Sequence, residues 1–171
     1  MKKVILILSV IGLFATNQVK AQMSSKSIVD IAVSNADFST LVTALKAADL
    51  VGALQGEGPF TVFAPVNSGF AKIDSKTLNS LLEPKNKEKL AAILTYHVVA
   101  GKLDAKAVAG ALKSGNGKAE LTTLNGAVLS AVSKDGGIFL MDQAGNYSKI
   151  ISTDVMASNG VIHVIEDVVM P

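Results

Sequence analysis

The chain has 171 residues, 49% of them hydrophobic and 18% charged, with 16 lysines, no arginine, 14 acids, no cysteine and no tryptophan. The missing cysteine excludes disulfides, thiol chemistry and thiolate metal sites; the missing arginine removes the planar, bidentate side chain suited to phosphate and guanine. The formal charge of +2 offers nucleic acid no better footing: Lys2, Lys3 and Lys20 lie in a predicted leader and all 14 acids lie beyond it, so the remaining chain carries −1.

That leader is read from Lys2 and Lys3, the apolar run Val4 to Ala15 and the small-residue exit Val19-Lys20-Ala21. At about a dozen residues the run is short of the roughly 20 needed to span a bilayer. Residues 1–21 are therefore expected to be a signal peptide, and 22–171 one exported domain, periplasmic or secreted, with no transmembrane anchor. About 150 residues suffice for a sizeable core, and with few aromatic residues that core must be aliphatic.

The first half reads as helical. Ile28 to Ser34 has one short apolar face, and Asp37 precedes Phe38, Leu41, Val42, Leu45 and Ala48 at helical spacing. Leu50 to Leu54 is a further apolar piece, closed by Gly56-Glu57-Gly58-Pro59. Phe60 to Ala64 reads as a buried strand stopped by Pro65. Asn67 is placed to cap a short helix to about Lys72, Ser75 to begin another with Leu78, Leu81 and Leu82 inward, and Asn86 to cap a longer one with Leu90, Ile93, Leu94 and His97 on one face. Asp104 caps Ala105 to Leu112, and Ser114 to Gly117 forms a loop.

From Leu121 the period shortens. Leu121 to Leu124, Ala127 to Val132, Ile138 to Met141, Tyr147 to Ser152 and Val161 to Val169 read as strands. They are separated by Asn125-Gly126, Asp135-Gly136-Gly137, Gly145-Asn146 and Asn159-Gly160, pairs suited to left-handed turn positions. The expected class is α+β, with mainly antiparallel strands.

Three segments carry a resemblance: Thr61-Val62-Phe63-Ala64-Pro65-Val66-Asn67-Ser68-Gly69-Phe70, then Leu94-Thr95-Tyr96-His97-Val98-Val99, then Ser158-Asn159-Gly160-Val161-Ile162-His163-Val164-Ile165. In this order and spacing they resemble the fasciclin domain, from about Ser27 to Pro171. The resemblance implies a β-wedge flanked by short helices, and an extracellular or cell-surface module linked to adhesion. In animal members an acidic-aliphatic motif before the third segment and a tyrosine-histidine pair are tied to integrin binding. The matching positions here are Asp154, Val155 and Met156, and Tyr96 and His97. With a leader of bacterial kind, the surface is carried over and the integrin is not.

Two positions depart from the family pattern. Val66 stands where threonine is usual, leaving Asn67 as the cap. Gly69 stands where alanine is usual, which should weaken that helical turn by about 1 kcal/mol.

The two histidines invite metal or acid–base readings, but both sit in apolar surroundings, His97 beside Ile93 and Leu94, His163 between Val161 and Ile165. Both are expected to be packed groups bonded to backbone, with no metal and no cofactor. Ser158, His163 and Asp167 suggest a hydrolase, yet His163 and Asp167 would lie more than about 12 Å apart on a straight strand, and no Gly-x-Ser-x-Gly elbow exists. The expected function is non-catalytic binding of extracellular or cell-surface protein or polysaccharide, by a monomer. A carrier of a small apolar ligand is the alternative, and a hydrolase the third reading.

Overall fold

In the computed structural model, which describes residues 25–171, the first helix, α1 (Ile28–Ser34), opens on a reciprocal cap. The Asp30 amide donates to Ser27 Oγ, and the Ser27 amide donates back to Asp30 Oδ2 at 2.9 Å. The signal peptide expected at residues 1–21 lies outside the described residues. A 3-10 turn (Ala36–Phe38) leads into α2 (Ser39–Ala47), which buries Leu41, Ala44 and Leu45, and α3 (Val51–Gln55) follows. Asp37 caps neither element. Asn35 holds the 3-10 turn through the Asp37 amide, because its side chain stands one turn earlier.

Strand β1 (Phe60–Pro65) is followed by α4 (Asn67–Ala71), α5 (Ser75–Leu81), a 3-10 turn (Pro84–Asn86) and α6 (Lys87–Tyr96). Asn86 does not cap α6, since its Nδ2 turns back to donate to Ser80 O at 2.7 Å. Strand β2 (Val98–Ala100) comes immediately after α6. Helix α7 (Ala105–Ser114) then begins where Asp104 Oδ1 accepts from the Ala107 amide, the cap its sequence calls for. The remaining strands are β3 (Lys118–Thr122), β4 (Val128–Lys134), β5 (Gly137–Met141), β6 (Tyr147–Ala157) and β7 (Gly160–Ile165).

All seven strands join one sheet in the order β2-β1-β7-β6-β5-β4-β3. Only β1 and β7 run parallel, Phe60 opposite Gly160 through Pro65 opposite Ile165; the other pairs are antiparallel. The outermost strands meet again: Val99 bridges Thr123, and the Leu124 amide donates to Val98 O at 2.7 Å. The sheet is thus curled nearly shut, which hides most of its free edge. The expected α+β wedge of mainly antiparallel strands is what the chain forms.

The curl creates two aliphatic cores because strand residues alternate between faces. Val62, Ala64 and Ile162 face the helices and pack with Ile28, Leu41 and Leu94. Phe63, Tyr96, Leu129, Leu140 and Ile165 fill the inside of the curl, closed by Val108 and Leu112 of α7. Each such aliphatic side chain contributes roughly 1.5–3 kcal/mol, so α7 is held mainly by two residues.

Turn chemistry explains the hairpin between β4 and β5. Asp135 and Gly136 both have positive φ, +50° and +74°, the combination a two-residue primed turn needs. Asn159-Gly160 differs, since neither residue is left-handed. Gly160 is needed for a different reason: a Cβ there would overlap the Phe60 carbonyl oxygen across the β1–β7 pair.

Gly69 also reverses its sequence reading. It is buried, and a Cβ would run into the Glu166 carbonyl oxygen and lie 3.1 Å from the Asp167 Cα. Helix propensity alone has Gly69→Ala gaining about 1 kcal/mol. The contact with backbone outweighs this, and Gly69→Ala is expected to lose about 1–2 kcal/mol in urea unfolding.

Candidate functional site

The residues tied by resemblance to partner binding fall into two groups, one inside the molecule and one on its surface. Tyr96 and His97 end α6 and are 0% and 2% exposed. The Tyr96 hydroxyl donates to Val128 O at 3.0 Å, and burial together with the Asp142 carboxylate pushes its pKa up. His97 Nδ1 donates to Ile93 O at 2.8 Å, so Nε2 is left to accept from the Val169 amide at 3.2 Å. The ring is therefore neutral, and burial lowers its pKa to about 4. Neither side chain offers surface to a partner; together they tie α6 to β4 and to the C-terminal segment.

His163 is 1% exposed on β7 and stacks on Phe63 with ring centroids 5.6 Å apart. Its Nε2 donates to Leu103 O at 2.6 Å, and its Nδ1 faces the Asp154 amide at 3.4 Å. Both ring nitrogens are occupied by backbone, as its apolar setting implies. Neither Ser158 nor Asp167 bonds to the ring: the Ser158 amide donates to Lys26 O, and Asp167 is held by Lys72 and donates its amide to Ser148 Oγ. The three residues that suggested a hydrolase are not brought together. Among the described residues no group of three His, Asp or Glu side chains could hold a metal.

Asp154, Val155 and Met156 lie on β6, within the edge that extends beyond the end of β5. Pairing with β5 stops at Lys149, while β6 continues to Ala157 against β7. The register shifts twice around Asp154, which adopts φ +60°, a bulge that twists the strand and blunts its open edge. Asp154 Oδ1 accepts from the Ala105 amide at 2.7 Å and so caps α7 across the molecule, beside Asp104. Asp154 itself is exposed, whereas Val155 and Met156 are half-buried, Val155 packing into the helix-side core.

The asparagines of the first and third matched segments, Asn67 and Asn159, are long-range staples. Asn67, expected to cap its own helix, makes no such bond. Its Oδ1 instead accepts from the Thr40 amide at 3.0 Å and from Ser39, capping α2, while Nδ2 donates to Ala36 O at 2.8 Å. Asn159 accepts at Oδ1 from the Ile28 amide at 3.0 Å and donates Nδ2 to Leu54 O and Gly56 O. One side chain thus fixes α1 and α3 to the β6–β7 turn. Thr61 behaves likewise, accepting from the Leu103 amide and donating to Gly101 O at 2.7 Å. Pro65 ends β1 and Phe70 is buried beneath α4. Sequence reasoning singled out these residue types and missed their partners, which lie far along the chain. Asn159→Ala is expected to lower stability by about 2 kcal/mol in urea unfolding, from one lost cap and two orphaned carbonyls.

An apolar-ligand carrier needs a pocket of about 300 Å³ or more. The enclosed apolar void between α1, α2 and the sheet, lined by Ile28, Leu41, Leu54, Phe63, His97 and Ile162, has about 20 Å³. A wider cleft of about 530 Å³ is an open one lined by Gln55, Glu57, Pro59, Lys102, Ser158 and Asn159. No single helix among the described residues is long and apolar enough to cross a membrane.

These features can be set beside known proteins. Residues 36–171 match the Fasciclin domain family. Protein sll1483 of Synechocystis is 51% identical over 148 residues, spanning 86% of this chain and 75% of that protein. Cell surface glycolipoprotein MPB83 of Mycobacterium bovis is 30% identical over 156 residues, 88% of this chain and 63% of the relative. The fold is shared with a solved FAS1 domain pair from the insect cell adhesion molecule fasciclin I, with a TM-score of 0.76 at 17% identity, over 86% of this chain and 52% of that one. With its family match over most of its length and its two asparagine staples in the matched region, the chain belongs to the fasciclin domain family.

Proposed function

We propose that this chain is an exported, non-catalytic binding module that attaches to protein or polysaccharide at the cell surface, envelope or surrounding matrix. The observation that carries the reading is the way its polar groups are spent. Both histidines are sealed and bonded to backbone, and Asn67, Asn159 and Asp154 serve as caps. What remains for function is surface shape and charge. A cell-surface relative supports the place of action, and the charged start and apolar run at residues 2–15 support export.

The exposed edge of β6 around Ile151 to Asp154 belongs to the proposed contact surface, with Val155 and Met156 supporting it from below. Tyr96 and His97 contribute as scaffold. Fractionation of the source cells tests the reading. The processed protein is expected outside the inner membrane, retained on the envelope or in the medium, and its deletion is expected to reduce attachment between cells or to surfaces. Processed protein confined to the cytoplasm, or hydrolytic turnover that His163→Gln abolishes, would overturn it.

A further inference from the structure

The curled half of the sheet has an outer face turned away from the core inside the curl. On β3 to β6 the inward residues Ala119, Ala131, Leu140 and Ser148 are buried. Their neighbours along each strand face outward by alternation. Lys118, Val132, Phe139 and Lys149 stand directly opposite one another across these four strands, and Glu120, Ser130, Met141 and Tyr147 form the next row, in which Ser130 is itself buried.

Two of the chain's few aromatic rings are spent here. Tyr147 is 45% exposed and meets Phe139 edge-on, with centroids 6.5 Å apart. Lys134 Nζ lies 4.7 Å from the centre of the Tyr147 ring. The face thus carries Lys118, Lys134 and Lys149 against Glu120, with Asp135 at the hairpin tip, on a protein whose acids otherwise outnumber its lysines once the leader is removed. Lys118 is paired to Glu120 at 3.0 Å, and Lys118 and Lys149 flank the apolar strip about 14 Å apart at the usual strand spacing.

We propose that this face is the docking surface for an acidic polysaccharide, a chain of sugar rings bearing carboxylates. The proposal rests on the binding-module reading and names its partner class. Sugar rings present an apolar face to the Tyr147–Phe139–Val132 strip, and their carboxylates meet the flanking ammonium groups. Charge complementarity selects an acidic over a neutral glycan. A polysaccharide is favoured over a membrane because the middle of the strip, Val132, Phe139 and Met141, is half-buried and does not project to insert among acyl chains, while the exposed Val128, Tyr147 and Ile151 lie at its margins.

Calorimetric titration of the processed protein with polygalacturonate oligomers, dextran oligomers, and phosphatidylglycerol–phosphatidylcholine vesicles tests the assignment. Polygalacturonate is expected to bind with an affinity that falls as sodium chloride rises, and dextran and vesicles are not. Lys149→Glu and Tyr147→Ser should each weaken binding at least about tenfold, with circular dichroism unchanged, while Lys106→Glu on α7 leaves it intact. No polygalacturonate binding, binding indifferent to both substitutions, or binding to the vesicles alone overturns the proposal. Protein that fails with polygalacturonate yet still saturates its own cell envelope refutes this partner and leaves the binding-module reading standing; failure on both refutes both.

Discussion

Gly160→Ala is expected to remove about 3 kcal/mol or more of stability. Gly160 begins β7, where β1 and β7 run parallel and Phe60 lies opposite it. An added Cβ would overlap the Phe60 carbonyl oxygen and come within 2.9 Å of Ile28 Cδ1. The Phe60 carbonyl is backbone and the Ile28 methyl is packed in the core, so relief requires β7 to slide away from β1. That movement would disturb Val161, Ile162, His163 and Ile165, all buried, and the bond from the Phe60 amide to Asn159 O at 3.0 Å. Gly110→Ala is the matched control. Gly110 lies on the exposed side of α7, and a Cβ there meets nothing within 4 Å, so the change should stabilise by about 0.4–1 kcal/mol. Urea midpoints for the two variants should move in opposite directions. A Gly160→Ala protein as stable as wild type would show that β1 and β7 are not packed this closely.

Acid is expected to weaken the fold through His97. Its pKa falls from 6.5 to about 4 because the ring is buried, which outweighs the bond to Ile93 O that favours the charged form. A group whose folded pKa is depressed contributes stability that is complete above its unfolded pKa. For His97 that contribution is present above pH 6.5 and is lost as pH falls toward 4. With about 1.4 kcal/mol for each pKa unit, the loss reaches roughly 3 kcal/mol at pH 4. A protonated ring would also turn an N–H against the Val169 N–H, loosening the C-terminal segment from α6. His97→Gln separates this group from the carboxylates that titrate in the same range. The variant should be less stable than wild type at pH 7, and the gap should narrow by about 3 kcal/mol by pH 4. A gap that stays constant with pH would mean that His97 is not held neutral in the fold.

Much of this architecture is legible in the residue pattern. α1 follows from its apolar spacing and α7 from Asp104 standing where a cap is needed, while the Ser27 cap of α1 is seen only in the structure. The β4–β5 hairpin follows from Asp135-Gly136. β2 escaped notice because Val98 follows the apolar face of α6 without a breaking residue, so three strand residues look like more helix. The full length of β6 was hidden by its bulge at Asp154, which breaks the alternation that marks a strand.

The candidate site was less legible, for a physical reason. Residue type and local position identify a cap, but they do not say which end it closes. Asn67 closes α2, 27 residues earlier, and Asn159 holds the amide of Ile28, 131 residues away. Gly69 shows the same limit. By propensity it is a weak point in a helix, and only the approach of the Glu166 backbone reveals that no side chain fits. Tyr96 and His97 were marked for binding, yet their polar atoms point into the core. The lysine and aromatic rows on β3 to β6 emerge only when the register sets Lys118, Val132, Phe139 and Lys149 side by side.

The proposed role as an exported binding module is tested most directly by a binding isotherm. Processed protein, labelled at its amino terminus, is titrated onto intact cells of a strain lacking the gene. The account predicts saturable binding that unlabelled protein displaces and that Lys149→Glu weakens. Binding that never saturates, or protein that remains wholly in solution, would contradict it.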